Sequence, residues 1–130
     1  MKRFTSQNQK IGQIGEGIAE KFLVKQGFVV IERNYTLKTG EIDIITMKGG
    51  QIGFWEVKTT QCATGNVSRG TYNPFENIHE KKLKRFVQTV EYYLYSRNVS
   101  HETKWGIHGL AVYLDLFTKQ ARVEIIENMI

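Results

Sequence analysis

Residues 40–47 and 51–59 form two apolar runs with charged residues embedded in them, and only Lys48-Gly49-Gly50 separates the two. No other feature restricts the fold as strongly. Paired glycines supply the positive φ values that a tight hairpin turn requires, so the runs are expected to fold back on each other as antiparallel strands. A two-residue turn at Gly49-Gly50 sets Lys48 opposite Gln51, Asp43 opposite Glu56 and Glu41 opposite Lys58. A three-residue turn would break that register. Alternate residues of a strand share a face, which groups Glu56 with Lys58, and Glu41 with Asp43 and Ile45.

The rest of the chain supplies what such a hairpin needs to become a buried sheet. In residues 10–26, Ile11, Ile14, Gly15, Ile18, Ala19 and Phe22 recur at the spacing of one helical face, and Gly27 follows as a C-terminal stop. Residues 28–33 are a β-branched run that reads as a strand, and residues 34–39 connect it to the hairpin. Residues 61–73 have no period and hold Gly65, Asn66, Ser68 and Gly70, a long loop of the kind that is usually functional or mobile. Asn73-Pro74 then opens a helical region, with Asn73 as its cap and Leu83, Phe86, Val87, Val90 and Leu94 as its apolar stripe. Residues 107–114 and 121–126 read as two final strands with a hairpin-sized link. The order α-β-β-β-α-β-β predicts an α/β fold, a mixed β-sheet flanked by helices, in one domain spanning residues 1–130.

Chemistry concentrates on the hairpin. Directly opposed side chains on one face lie roughly 4.5–5.5 Å apart at Cβ. Asp43 and Glu56 at such a distance repel each other, and a shared proton or a bound cation relieves the repulsion. Two carboxylates with water suit a hard divalent cation, Mg²⁺ or Mn²⁺. Lys58 lies one step along, within reach of a phosphate or an attacking water. That set matches what phosphodiester hydrolysis demands. Acids and bases also alternate on exposed strands as solvated salt bridges. Here the neighbours Ile42, Ile44, Ile45, Phe54, Trp55 and Val57 describe central strands, where charges are rarely idle.

Two outlying groups bear on the same chemistry. Glu16 flanks the first helix's stripe beside Gly12 and Ala19, either as an ordinary border residue or as a reach toward the carboxylate pair. Lys81, Lys82, Lys84 and Arg85 crowd the second helix, with Arg69, Tyr72 and Phe75 upstream. These could grip a nucleic-acid backbone and stack on unpaired bases, or line a solvated helix face. His79 and His101 have no metal-ligand spacing with a partner, and Trp55 and Trp105 read as core.

Charge and composition agree with such a partner. The net charge is +5, from 18 Lys and Arg against 13 Asp and Glu, which suits a polyanion. The single cysteine, Cys62, excludes an intramolecular disulfide. No segment approaches the ~20 apolar residues of a membrane span, and the polar first ten residues lack a secretion-signal core. The expectation is a cytoplasmic protein with no membrane partner.

The stretches Gly40-Glu41-Ile42-Asp43-Ile44-Ile45 and Phe54-Trp55-Glu56-Val57-Lys58-Thr59 resemble the D…ExK core of PD-(D/E)xK nucleases. Together with Gly15-Glu16-Gly17-Ile18-Ala19, Phe22-Leu23, Gly27-Phe28 and Arg33-Asn34, the resemblance narrows to the YraN-like family of predicted endonucleases, similar to archaeal Holliday junction resolvases. It covers most of the chain. It implies a restriction-endonuclease-like αβββαβ core and a metal-dependent endonuclease acting on DNA, branched or structured DNA in repair or recombination included. Carried over residue by residue, Asp43 and Glu56 are ligands of Mg²⁺ or Mn²⁺, helped by the main-chain carbonyl of Val57. Lys58 orients water or stabilises the phosphate, and Glu16 is the helix-borne fourth member. Arg69, Lys81, Lys82 and Arg85 are the expected DNA contacts. The chain departs from the family at Trp105-Gly106-Ile107-His108-Gly109, where relatives often carry an Arg-Phe-Asp-like start, and His108 is expected to take a polar role there.

Two alternatives stand beside this. One is a catalytically silent nucleic-acid-binding module with a nuclease fold. The other is an interaction subunit whose hairpin charges are a salt-bridge network. Branched-junction specificity would need two active sites, hence a homodimer, and the terminal strand at Val123-Glu124-Ile125-Ile126 is the candidate edge for it.

Overall fold

The computed structural model describes residues 6–62, 75, 78–127 and 129. Its elements run α1 (Gln7–Lys25), β1 (Val29–Leu37), β2 (Gly40–Lys48), β3 (Gln51–Gln61), α2 (Glu80–Ser96), β4 (Trp105–Asp115) and β5 (Gln120–Ile126). The five strands form one sheet in the spatial order β1-β2-β3-β4-β5. Every neighbouring pair is antiparallel except β3 and β4, which are parallel. Parallel neighbours require a crossover connection, and α2 lies between these two strands in the chain. This is the expected mixed sheet flanked by helices. Among the described residues no helix is long and apolar enough to cross a membrane.

Both helices have local reasons for where they begin and end. At α1, the Ser6 hydroxyl accepts the Gln9 N–H and the Gln9 side chain accepts the Ser6 N–H, a capping box that starts the helix three residues before the expected residue 10. Its end is a Schellman turn. Phe28 N–H reaches Leu23 O, Gly27 N–H reaches Val24 O, and Gly27 takes the left-handed φ of 95°. At α2, Asn98 plays the part of that glycine with φ 55°, and Val99 N–H bonds Leu94 O. The N-terminus of α2 differs from expectation. The helix begins at Glu80 with His79 as N-cap and no side-chain capping bond, while Asn73-Pro74 lies outside the described residues.

The helices bury their stripes on opposite faces of the sheet. Ala19 and Leu23 of α1 pack with Ile44, Trp55, Leu110 and Val112. Phe86, Val90 and Tyr93 of α2 pack with Ile42, Ile45, Phe54 and Ile107. Ile14 stands outside the α1 core at 44% exposure; the buried stripe is Ile11, Gly15, Ala19 and Leu23.

That partition exposes a break in the strand alternation. Ile42 and Ile44 are two residues apart yet lie in different cores. Their partners on β1 do the same. Arg33, paired with Ile44, bonds Glu16 and Glu20 of α1, whereas Tyr35, paired with Ile42, meets Tyr93 of α2 edge-on at 5.2 Å. Asn34 lies between Arg33 and Tyr35 with φ 53°, the left-handed conformation that a short polar side chain tolerates. The strand continues through it to Leu37, so residues 34–37, expected in a connection, belong to β1. The face shared by Glu41, Asp43 and Ile45 in a regular strand does not form, because this switch falls at Asp43.

Candidate active site

Asp43 occupies the break. The β2–β3 ladder has the predicted register from Lys48–Gln51 through Ile44–Trp55, where it ends. One residue on, the Asp43 carboxylate reaches across and accepts the Val57 N–H at 2.7 Å. Asp43 is only 8% exposed. Burial pushes its carboxyl up to about 8; the Val57 hydrogen bond works against that rise, and the charges of Glu56, Glu16 and Glu41 add to it. Burial, more than any neighbouring charge, sets the state of this carboxyl.

Glu56 follows Trp55 on β3, the central strand of the sheet, and is largely covered. Two ammonium groups approach the same oxygen of it. Lys82 of α2 donates to Glu56 Oε2 at 3.1 Å, and Lys58 Nζ lies 3.9 Å from that atom. Burial lowers the Lys58 ammonium below its ordinary value, and nearby Lys82 adds to the lowering against the pull of Glu56 and Asp43. Burial also pulls on Lys82, but Glu56 outweighs it and holds that ammonium above its ordinary value. Glu41, expected beside Lys58, accepts a hydrogen bond from Thr36 on β1 at 3.2 Å.

Gly15 lets Glu16 come close. A Cβ at position 15 would lie 1.7 Å from Thr59 Oγ1, so α1 rests directly on β3 here. The next residue, Glu16, is held by Arg33 Nη2 at 3.4 Å, and Arg33 Nη1 holds Glu20 at 2.9 Å. Burial raises the Glu16 carboxyl; Arg33 lowers it, and the charges of Glu41 and Glu56 raise it further. Glu16 therefore senses the same carboxylates as Asp43. Arg33 was visible in the sequence only as part of a resembling dipeptide; its fork between two glutamates one helical turn apart has no signature in periodicity.

A cavity of about 310 Å³ opens beside these groups, lined by Lys38, Thr39, Gly40, Glu41, Glu56, Lys82, Arg85 and Phe86. It joins the β1–β2 turn to the first turns of α2, with cations on both walls. A larger cavity of about 760 Å³, lined by Tyr95, His101 and Trp105 among others, shares no residue with it and holds none of the predicted site residues. Of the expected DNA contacts, Lys81 and Arg85 are exposed on α2, Lys82 turns inward to Glu56, and Arg69 lies outside the described residues together with Tyr72. Phe75 cannot stack on a base: it is buried at 5% exposure beside Ala111 and Tyr113, and a Cβ on Gly109 would strike its ring. His108 packs against the Trp55 ring at 4.8 Å and lines a third cavity with Lys48 and Glu127. Trp55 is core as expected, whereas Trp105 packs edge-on to Phe54 and stays 37% exposed.

With this geometry in place, comparison with known proteins adds the lineage. Residues 15–127 match the family described as Uncharacterised protein family UPF0102. The chain belongs to this family. A UPF0102 protein of Moorella thermoacetica is 36% identical over 124 residues, 95% of this chain and 98% of that protein. One from Clostridium novyi is 32% identical over 121 residues, 93% and 95% of the two chains. One from Campylobacter jejuni strain RM1221 is 40% identical over 91 residues, 70% and 74% of the two. Membership of UPF0102 bears out the YraN-like resemblance and is consistent with the nuclease superfamily. In this UPF0102 chain, the matched span contains Glu16, Asp43, Glu56 and Lys58.

The oxygen donors of this UPF0102 site fit a hard divalent cation. Among the described residues no three His, Cys, Asp or Glu side chains gather into a metal-holding group. Mg²⁺ needs no such group, since it keeps several waters and commonly uses one or two carboxylates. Asp43 and Glu56 supply two such carboxylates, and a cation between them would offset the mutual repulsion that adds to the effect of burial on Asp43.

Proposed function

We propose that this chain is a metal-dependent endonuclease that hydrolyses phosphodiester bonds in DNA. The observation that carries the reading is Asp43, buried and raised to about 8 where Glu56, Glu16 and Glu41 bear on it, with two lysines reaching Glu56. Asp43 and Glu56, with the Val57 carbonyl, are the residues that would hold Mg²⁺ or Mn²⁺. A cation bound there supplies Lewis-acid stabilisation of the phosphate and an acidified water. Lys58 adds its charge at the phosphate oxygens and orients the attacking water. Glu16, fixed by Arg33, accepts hydrogen bonds from water at the edge of the site. Lys81 and Arg85, with Arg69, hold the backbone of the substrate. Pairing through the β5 edge would give a homodimer with two sites for branched DNA; a strict monomer at working concentration removes that part of the proposal.

The test is cleavage. Labelled single-stranded, duplex, flap and four-way-junction DNAs are incubated with the protein in Mg²⁺ or Mn²⁺, beside a Glu56→Ala, Lys58→Ala variant. Metal-dependent cleavage lost in the variant is the expected result and names the substrate class. No cleavage of any DNA with metal binding intact points to a silent DNA-binding module. Neither cleavage nor metal binding returns the hairpin charges to a salt-bridge network.

A further inference from the structure

The ion pair between Lys82 and Glu56 has a role that DNA binding alone does not explain. Lys82 Nζ sits 3.1 Å from Glu56 Oε2, and its side chain is 44% exposed while that of Glu56 is 14% exposed. The lysine thus reaches inward from the rim of the cavity to a carboxylate that is mostly enclosed. Lys58 approaches the same oxygen but at 3.9 Å, so Lys82 makes the closer contact. A divalent cation and an ammonium group on one carboxylate repel each other, so a cation bound at Glu56 would compete with Lys82 for that oxygen. Lys38 and Arg85 also line this cavity, so an ammonium that leaves Glu56 joins a rim of cations where a phosphate backbone would run.

We infer that Lys82 is a built-in counter-ion that neutralises Glu56 in the metal-free protein and is displaced when a divalent cation binds, freeing its charge for a DNA phosphate. Metal loading and DNA affinity are then coupled through one side chain. The inference rests on the reading of Asp43 and Glu56 as a metal site. A purely structural ion pair between α2 and β3 would stabilise the fold and leave metal affinity unchanged.

Mn²⁺ is titrated calorimetrically into the full chain without DNA, for wild type, Lys82→Met and Lys82→Arg. Lys82→Met is expected to bind Mn²⁺ about two- to fivefold more tightly, the worth of one partly exposed ion pair, and Lys82→Arg to behave as wild type. A second readout uses duplex DNA and the salt dependence of binding. Lys82→Met should lower the slope of log K against log salt by about 0.9 in Ca²⁺ and leave it unchanged in chelator. Mn²⁺ affinity equal to or weaker than wild type in Lys82→Met overturns the inference, as does the same slope change with and without metal. Mn²⁺ binding by the wild type with Lys82→Met unchanged defeats the inference alone. No Mn²⁺ binding by any variant defeats the metal-site reading with it.

Discussion

The Asp43 carboxylate accepts the Val57 N–H at 2.7 Å just beyond the point where β2–β3 pairing stops. A side chain here continues a hairpin that the main chains no longer zip, and the same carboxylate faces the acidic site. Fastening and chemistry thus fall on one residue. Its burial beside other carboxylates makes the ionised form costly in the folded state.

That cost predicts a pH dependence. Asp43 rises from an ordinary 3.8 to about 8 on folding, so between those values the folded chain holds a proton that the unfolded chain has released. Stability from this group is complete below the unfolded value and is lost as pH climbs through the folded one. Asp43→Asn keeps an acceptor for Val57 and removes the charge. In metal-free thermal denaturation, the wild type should lose stability between about pH 4 and pH 8 and level off above that, and Asp43→Asn should lose less. Adding Mg²⁺ should restore part of the wild-type loss at high pH. Identical profiles for the two proteins would remove the account of Asp43 given above.

Gly15 predicts a packing effect that reaches the site. An alanine Cβ would meet Thr59 Oγ1 at 1.7 Å and Thr59 Cβ at 2.8 Å, so α1 must move off β3. Overpacking of this kind costs about 1–3 kcal/mol. Urea denaturation of Gly15→Ala should show that loss, and adding Thr59→Ala should recover only part of it, because the Thr59 Cβ remains close. Glu16 follows Gly15 directly, so Gly15→Ala should also weaken any cleavage activity. A Gly15→Ala protein as stable as wild type would show that α1 does not rest on β3 in this way.

The cations at the start of α2 predict a salt effect. A Lys81→Ala, Lys82→Ala, Arg85→Ala variant should bind duplex DNA more weakly and flatten log K against log salt by about two to three units if each side chain meets one phosphate. The measurement is fluorescence anisotropy at several salt concentrations in the presence of Mg²⁺. An unchanged slope would place the DNA elsewhere on the molecule.

Much of the fold was legible because turns and stripes are local. Gly49-Gly50 set the β2–β3 register, and Gly27 marked the end of α1, each through backbone geometry that only a few residues favour. The Ser6–Gln9 capping box was missed, and the apolar stripe alone placed the helix start too late. What stayed hidden was non-local. The face switch at Asn34 and Asp43 depends on two strands breaking alternation together, which period-two reasoning on one strand cannot reveal. The inward turn of Lys82 depends on how closely α2 approaches β3, and Phe75 entered the core through contacts with β4 that no local pattern announces. The carboxylate pair was visible as a juxtaposition; its means of closure, a side chain bonded to Val57, was not.

The two lysines and the carboxylate they share allow binding and chemistry to be separated. Glu56 is proposed as a ligand, so Glu56→Ala should abolish both Mn²⁺ binding at this site and cleavage. Lys58 stands 3.9 Å from Glu56 and is proposed to act on the phosphate, not on the cation. Lys58→Met should therefore retain Mn²⁺ binding while lowering cleavage by about 10²–10³-fold, the usual effect of removing one group that stabilises developing charge. Calorimetry with Mn²⁺ and single-turnover cleavage on the same preparations make the comparison. Loss of Mn²⁺ binding in Lys58→Met would mean that this lysine shapes the carboxylate site itself. Retained cleavage in Lys58→Met, with Glu56→Ala inactive, would transfer the charge-stabilising role to a neighbouring cation such as Lys82, which is in hydrogen-bond contact with Glu56.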